Sequence, residues 1–211
     1  VLLTGVGGLT SFGQAAFVGV GAYTTAVLTT STSLPGWIAW AGASPWLALV
    51  AGLVITGLIA LLLGSLTLKL SGHYLPLGTI AWGISLYFLF GTLDFLGAQS
   101  GISGLPPISI SGFRLDEGGE IYYLIWAFVL AAVITTHNLL DSREGRAIRA
   151  LKGGVVMAEA MGVDTSRSRI VIFVIAALHA CAAGWLYAHM QRLVNPSPFG
   201  LHHGIEYLFM A

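Results

Sequence analysis

The sequence predicts an all-α fold: a polytopic transmembrane helical bundle with a cytoplasmic loop of two short helices. Two observations carry that expectation. Only 9% of the 211 residues are charged and 56% are hydrophobic, whereas soluble domains carry about 25% charge. Uncharged runs of about 20 residues, the length that crosses a hydrocarbon core, also recur along the chain. Nine Lys and Arg balance nine Asp and Glu, too few charges to solvate a globular surface. The same balance argues against a disordered chain and against a nucleic-acid binder. A β-barrel is excluded because the apolar runs are continuous and far longer than ~10 residues. The 28 glycines suit close approach of membrane helices. Cys181 is the single cysteine, so neither a disulfide framework nor a multi-cysteine metal site is available.

Taken in order, Val1–Leu9 reads as the tail of an earlier span, and Phe12–Thr30 as an apolar stretch rich in Gly, Ala and Thr. Trp46–Leu68, Tyr74–Leu93, Ile121–Leu140 and Ile170–Met190 are free of charge and long enough to cross. Ile205–Ala211 reads as the head of a further span. The chain opens without Met or a basic leader. The expectation is one transmembrane domain over residues 1–211, a piece cut from a longer protein at both ends.

Charge sets the orientation. Six of the nine basic residues, Arg143, Arg146, Arg149, Lys152, Arg167 and Arg169, lie between the last two full spans. The positive-inside rule places that loop, residues 142–169, in the cytoplasm. The loop holding Asp94, Arg114, Asp116, Glu117 and Glu120 then falls outside. Lys69 falls inside. Trp37, Trp40 and Trp46 suit an outer interfacial belt. Two four-residue repeats of small side chains, Ala15, Gly19, Ala22, Ala26 and Ala176, Ala180, Gly184, Ala188, read as helix-packing faces within the subunit.

Catalytic signatures are missing from the sequence. It has no HExxH, GxSxG, CxxC or Walker A loop. The six histidines are scattered and read as hydrogen-bonded packing or interfacial residues. No carboxylate falls inside a clean span, which argues against a proton-coupled carrier. In the basic loop, Ala147, Ile148 and Leu151 share one helical face. Val155, Val156, Met157, Ala160 and Met161 form a second apolar surface beyond Gly153 and Gly154, closed by Gly162 at positive φ. These two apolar faces are expected to need a partner, either the lipid interface or a cytoplasmic protein.

Gly145-Arg-Ala-Ile-Arg-Ala-Leu151 followed by Ala158-Glu-Ala-Met-Gly-Val163 resembles the EAA-type loop of ABC importer permeases, most closely those for branched-chain amino acids. Three further stretches agree in order: Gly8 to Tyr23, Leu68 to Thr79, and Asn195 to Phe199 with Ile205 to Met210. Gln14 stands where that family more often has His, and Pro76 is unusual for it. The resemblance implies a permease subunit of a bacterial inner-membrane importer, working with a second permease, cytoplasmic ATPases and an extracytoplasmic amino-acid-binding protein. ATP and Mg would be bound by the ATPase and not by this chain. It implies ATPase coupling through Gly145, Arg146, Arg149, Ala158, Glu159, Ala160 and Gly162. Gly13, Gln14, Gly19, Gly21 and Tyr23, with His73 and Tyr74, are candidate substrate-path residues, because the first segment is polar and small enough to line a path or to unwind. The readings left open are a permease for another small solute such as urea or short amides, an ATP-independent carrier or channel, a membrane enzyme and a structural subunit.

Overall fold

A computed structural model describes residues 2–30, 44–68, 74–110, 113–114 and 118–210. Trp37, Trp40, Lys69, His73, Asp116 and Glu117 lie outside them. After a short π-turn, Leu2–Val6, the helices are α1 (Gln14–Thr30), α2 (Pro45–Thr67), α3 (Tyr74–Thr92), α4 (Gly118–Asp141), α5 (Arg143–Lys152), α6 (Val155–Ala160), α7 (Thr165–Gln191) and α8 (Leu201–Phe209).

Within these elements, four segments are long and apolar enough to cross a membrane: Pro45–Thr67, Tyr74–Thr92, Gly119–Asp141 and Thr165–Gln191. They coincide with the four clean runs in the sequence. The fifth stretch differs. Its helix, α1, has 17 residues, about 25 Å at 1.5 Å per residue, and starts only after an irregular stretch over residues 7–13. Two buried threonine hydroxyls in these helices are satisfied locally. Thr25 Oγ1 donates to the Gly21 carbonyl (2.8 Å) and Thr67 Oγ1 to that of Leu63 (2.6 Å), so neither leaves a bare polar group in hydrocarbon.

Helix α1 is the buried centre, packed chiefly against α7, with α2 beside both. Lipid-type side chains point outward from the periphery: Val54, Leu58 and Leu62 on α2, and Trp126, Leu130 and Val133 on α4. A surface of that kind is stable in a bilayer and aggregates in water.

The acidic end is tied down by short-range polar contacts. Strand β1 (Ile102–Ser103) pairs antiparallel with β4 (Leu193–Val194), Ile102 opposite Val194, and β2 (Ser109–Ile110) pairs with β3 (Phe113–Arg114). The Trp185 indole donates to the Pro45 carbonyl at 2.8 Å, Trp46 to Ser109 at 3.0 Å, and His189 Nδ1 to Pro106 at 2.9 Å. Trp46 thus pins the loop and stacks near Trp185 with ring centres 5.3 Å apart, a more specific task than floating in an interfacial belt.

At the basic end one sequence expectation is corrected. The apolar face of α5 has its partner inside this chain. Ile148 is fully buried and joins Leu3, Phe17, Leu63, Ile172 and Phe173 in one core cluster. The reason is the turn from α4 into α5. Ser142 caps α5 by accepting the Gly145 N–H (3.2 Å). A Cβ at Gly145 would overlap the carbonyls of Leu139 and Leu140. The glycine lets α5 fold back so tightly that its apolar side meets the bundle.

Candidate functional site

Two places combine polar chemistry with an opening: the basic hairpin of α5 and α6, and a cavity at the start of α1.

In the hairpin, Arg149 Nη2 donates to the Leu140 carbonyl (2.7 Å) and Arg146 Nη1 reaches that of Asp141 (3.4 Å). Both guanidinium groups sit over the C-terminal carbonyls of α4, where the helix dipole favours positive charge. Beyond Gly154, α6 buries Ala158 and exposes Val156 and Met157 at 82% and 62%, and its C-cap Met161 is 78% exposed. Ala160 is exposed too. Gly162 has φ +80°, and the Val163 N–H returns to the Ala158 carbonyl at 3.0 Å, the backbone pattern that ends a helix at a left-handed residue. Asp164 then caps α7 by accepting the Arg167 N–H (3.0 Å).

Glu159 has a local partner that the sequence did not signal. Thr165 Oγ1 donates to Glu159 Oε1 at 2.6 Å, tying α6 to the first residue of α7. Thr165→Val, which keeps the shape and removes the hydroxyl, is expected to cost about 1 kcal/mol and to loosen α6. Faster amide exchange at Ala158 and Val163 in the variant would report this; unchanged exchange would refute it. Beside α6 lies a cleft of about 490 Å³ lined by Arg143, Glu144, Gly162, Asp164 and Arg167. Arg167 bridges to Glu144 at 3.7 Å. Both signs of charge therefore line a cleft between α5 and the start of α7, just past the end of α6.

The candidate path residues separate in space. Gly19, Gly21 and Tyr23 are buried in helix packing: Gly19 against Phe90 and Phe199, Gly21 against Cys181, and Tyr23 stacked on Phe90 with centroids 4.7 Å apart. Tyr74 is exposed at the end of α3. Gly13 meets the Thr79 carbonyl, and the Phe12 N–H donates to Thr79 Oγ1 at 3.2 Å. Of the set, Gln14 lines an open cavity of about 200 Å³, with Ser11, His179 and Tyr207 beside it. Sequence reasoning passed over Ser11 and Tyr207 and read His179 as a packing or interfacial histidine. The signal for Ser11 was its place just ahead of a glycine and a helix start. Helices α4 and α7 enclose a larger groove of about 580 Å³, lined by apolar side chains save Thr135 and His179, which are 2.9 Å apart.

The family model for the permease component of branched-chain amino acid transport systems matches residues 1–211. The chain belongs to this permease family. Among curated proteins, it is similar to the high-affinity branched-chain amino acid transport system permease protein LivM of Salmonella typhimurium, 26% identical over 222 residues. LivM of Escherichia coli K12 is 27% identical over 226 residues. Each alignment covers 94% of this chain and 50% of the relative, so the chain spans about half the length of the curated relatives it matches. No solved structure matches significantly. As a permease-family chain with four membrane-length apolar helices, this is a multi-pass membrane protein of the transport class.

Proposed function

We propose that the chain is the membrane core of an ATP-driven importer subunit that moves branched-chain amino acids into the cytoplasm across a bacterial inner membrane. It works with a second permease, cytoplasmic ATPases that bind ATP and Mg, and an external binding protein. The observation that carries this reading is the contrast between the two hairpin helices. The apolar face of α5 is consumed by its own core, whereas α6 and its C-cap hold Val156, Met157 and Met161 out into solvent. Two large apolar side chains on a six-residue helix and a third at its C-cap, near a cleft bordered by Arg143, Glu144 and Arg167, fit a protein partner better than water. A coupling role follows from the connections. Glu159 is bonded to Thr165 at the head of α7, and α7 packs along α1. Displacement of α6 by an ATPase is therefore delivered to the buried centre of the bundle.

The test is reconstitution of the full-length protein with its ATPases, second permease and binding protein in vesicles. ATP-dependent uptake of labelled leucine, isoleucine or valine is expected. Uptake confined to urea or short amides would replace the substrate assignment, and uptake that ignores ATP would remove the importer class.

A further inference from the structure

We propose that the cavity at the start of α1 holds the carboxylate of a small aliphatic amino acid inside this subunit, with Ser11 Oγ and Gln14 Nε2 as its donors. The proposal rests on the import reading above and adds a location and a chemistry for the solute.

The cavity lies within the membrane. Phe12 and Gly13 contact Thr79 and Gly83, which sit about 8 and 14 Å along α3 from its cytoplasmic end. From the other side, a Cβ at Gly204 of α8 would overlap the Phe12 carbonyl. The first span is therefore broken at depth: a π-turn ends at Val6, and α1 begins at Gln14. Irregular backbone at this depth persists where protein or a polar cavity satisfies it.

Two side-chain atoms there have no partner. Ser11 Oγ and Gln14 Nε2 are buried without a hydrogen bond, and Ser11 as a residue is only 7% exposed. Both residues line the same cavity; the two donor atoms are themselves covered, so a solute engages them once the side chains turn. A buried donor left empty is costly, and two at one cavity point to something that fills it. Gln14 is also the first residue of α1. The leading N–H groups of a helix lack intrahelical partners and carry partial positive charge. Half-helix N-termini at membrane depth suit anionic solute groups.

The rest of the lining sets the ligand class. Among the described residues no Asp or Glu lines the cavity, so none of them selects an ammonium group over a carboxylate. Leu2, Leu3 and Leu208 supply an apolar wall for an aliphatic side chain. At about 200 Å³ the cavity is smaller than the roughly 300–1,000 Å³ of drug-sized sites and suits one small solute.

The experiment uses the full-length protein with its partner subunits in nanodiscs, without the external binding protein. Binding of labelled leucine is measured in competition with 4-methylpentanoate, which lacks the ammonium group, and isopentylamine, which lacks the carboxylate. The acid is expected to displace leucine and the amine to leave it bound. Ser11→Ala removes one atom and Gln14→Glu is isosteric, so both are expected to fold. Each should weaken leucine binding at least tenfold. Wild-type binding in both variants, displacement by the amine as strong as by the acid, or no saturable leucine binding would overturn the site. Uptake with the binding protein present, measured on the same preparation, separates the two proposals. ATP-driven leucine uptake alongside unaltered binding in the variants removes the site and leaves the importer standing. Failure of the wild type to import any branched-chain amino acid removes the import reading itself.

Discussion

Gly184→Leu is expected to eliminate folded protein, and Gly184→Ala alone to destabilise it by about 3 kcal/mol, the upper end of the overpacking range. The reason is contact between backbones. A Cβ at Gly184 on α7 would overlap the Val18 carbonyl and lie 3.0 Å from the Ala22 nitrogen. Across the same seam a Cβ at Gly21 on α1 would overlap the Cys181 carbonyl. Neither obstacle is a side chain that could rotate away, so relief requires α1 and α7 to separate along their main contact. Lipid supplies no hydrophobic force to hold them once apart, because close packing is what joins membrane helices. Gly57 on α2 is the control. A Cβ there would lie 3.7 Å from Leu178 Cδ2, an ordinary contact, and Gly57→Ala should be neutral or stabilising by up to about 1 kcal/mol. Thermal unfolding in detergent, followed by size-exclusion chromatography, reads all three. A Gly184→Ala midpoint equal to that of Gly57→Ala would show that the seam tolerates the methyl group.

This seam was partly legible in the sequence. Repeats through Gly184 and through Gly19 and Ala22 announced tight packing faces, and the structure places Gly184 against α1. The spans were legible because charge is expelled from hydrocarbon, so an uncharged run reports its medium. Their ends were less so. The expected Ile170 start gives way to Thr165, because Asp164 caps the helix well outside the apolar run. What hydropathy cannot report is the neighbour. An apolar side chain facing lipid and one facing another helix look alike, so a span apolar all round hides its packed side. The same ambiguity misassigned α5, whose Ile148 and Leu151 suggested an external partner: both are buried, and Ile148 joins the core cluster. The cavity at Gln14 was half legible. The Gly-rich, polar start of the first segment signalled an unwound stretch, but His179 and Tyr207 approach it from residues far along the chain. No local pattern predicts that meeting.

Gly162→Trp is expected to lower ATP-driven uptake at least tenfold while the subunit still inserts, assembles and supports ATP hydrolysis. Gly162 lies at φ +80°, and among the described residues nothing stands within 4 Å of where its Cβ would be. A side chain can therefore start there without a backbone clash, and an indole adds bulk next to Met161, at the face assigned to the ATPase. Backbone strain accompanies it, about 1–2 kcal/mol for a side chain in the left-handed region, and must be separated from bulk. Gly162→Ala carries the same strain without the ring, so the two variants isolate the steric effect. If α6 transmits ATPase closure through Glu159 and Thr165, wedging its far end shifts the docked geometry and breaks the link between hydrolysis and movement of α7. Glu159→Trp should act in the same direction, since it removes the 2.6 Å bond to Thr165 as well as adding bulk. Uptake that stays at the wild-type rate in Gly162→Trp and Glu159→Trp would sink the coupling assignment. Equal losses in Gly162→Ala and Gly162→Trp would assign the defect to backbone strain at the helix end and not to docking.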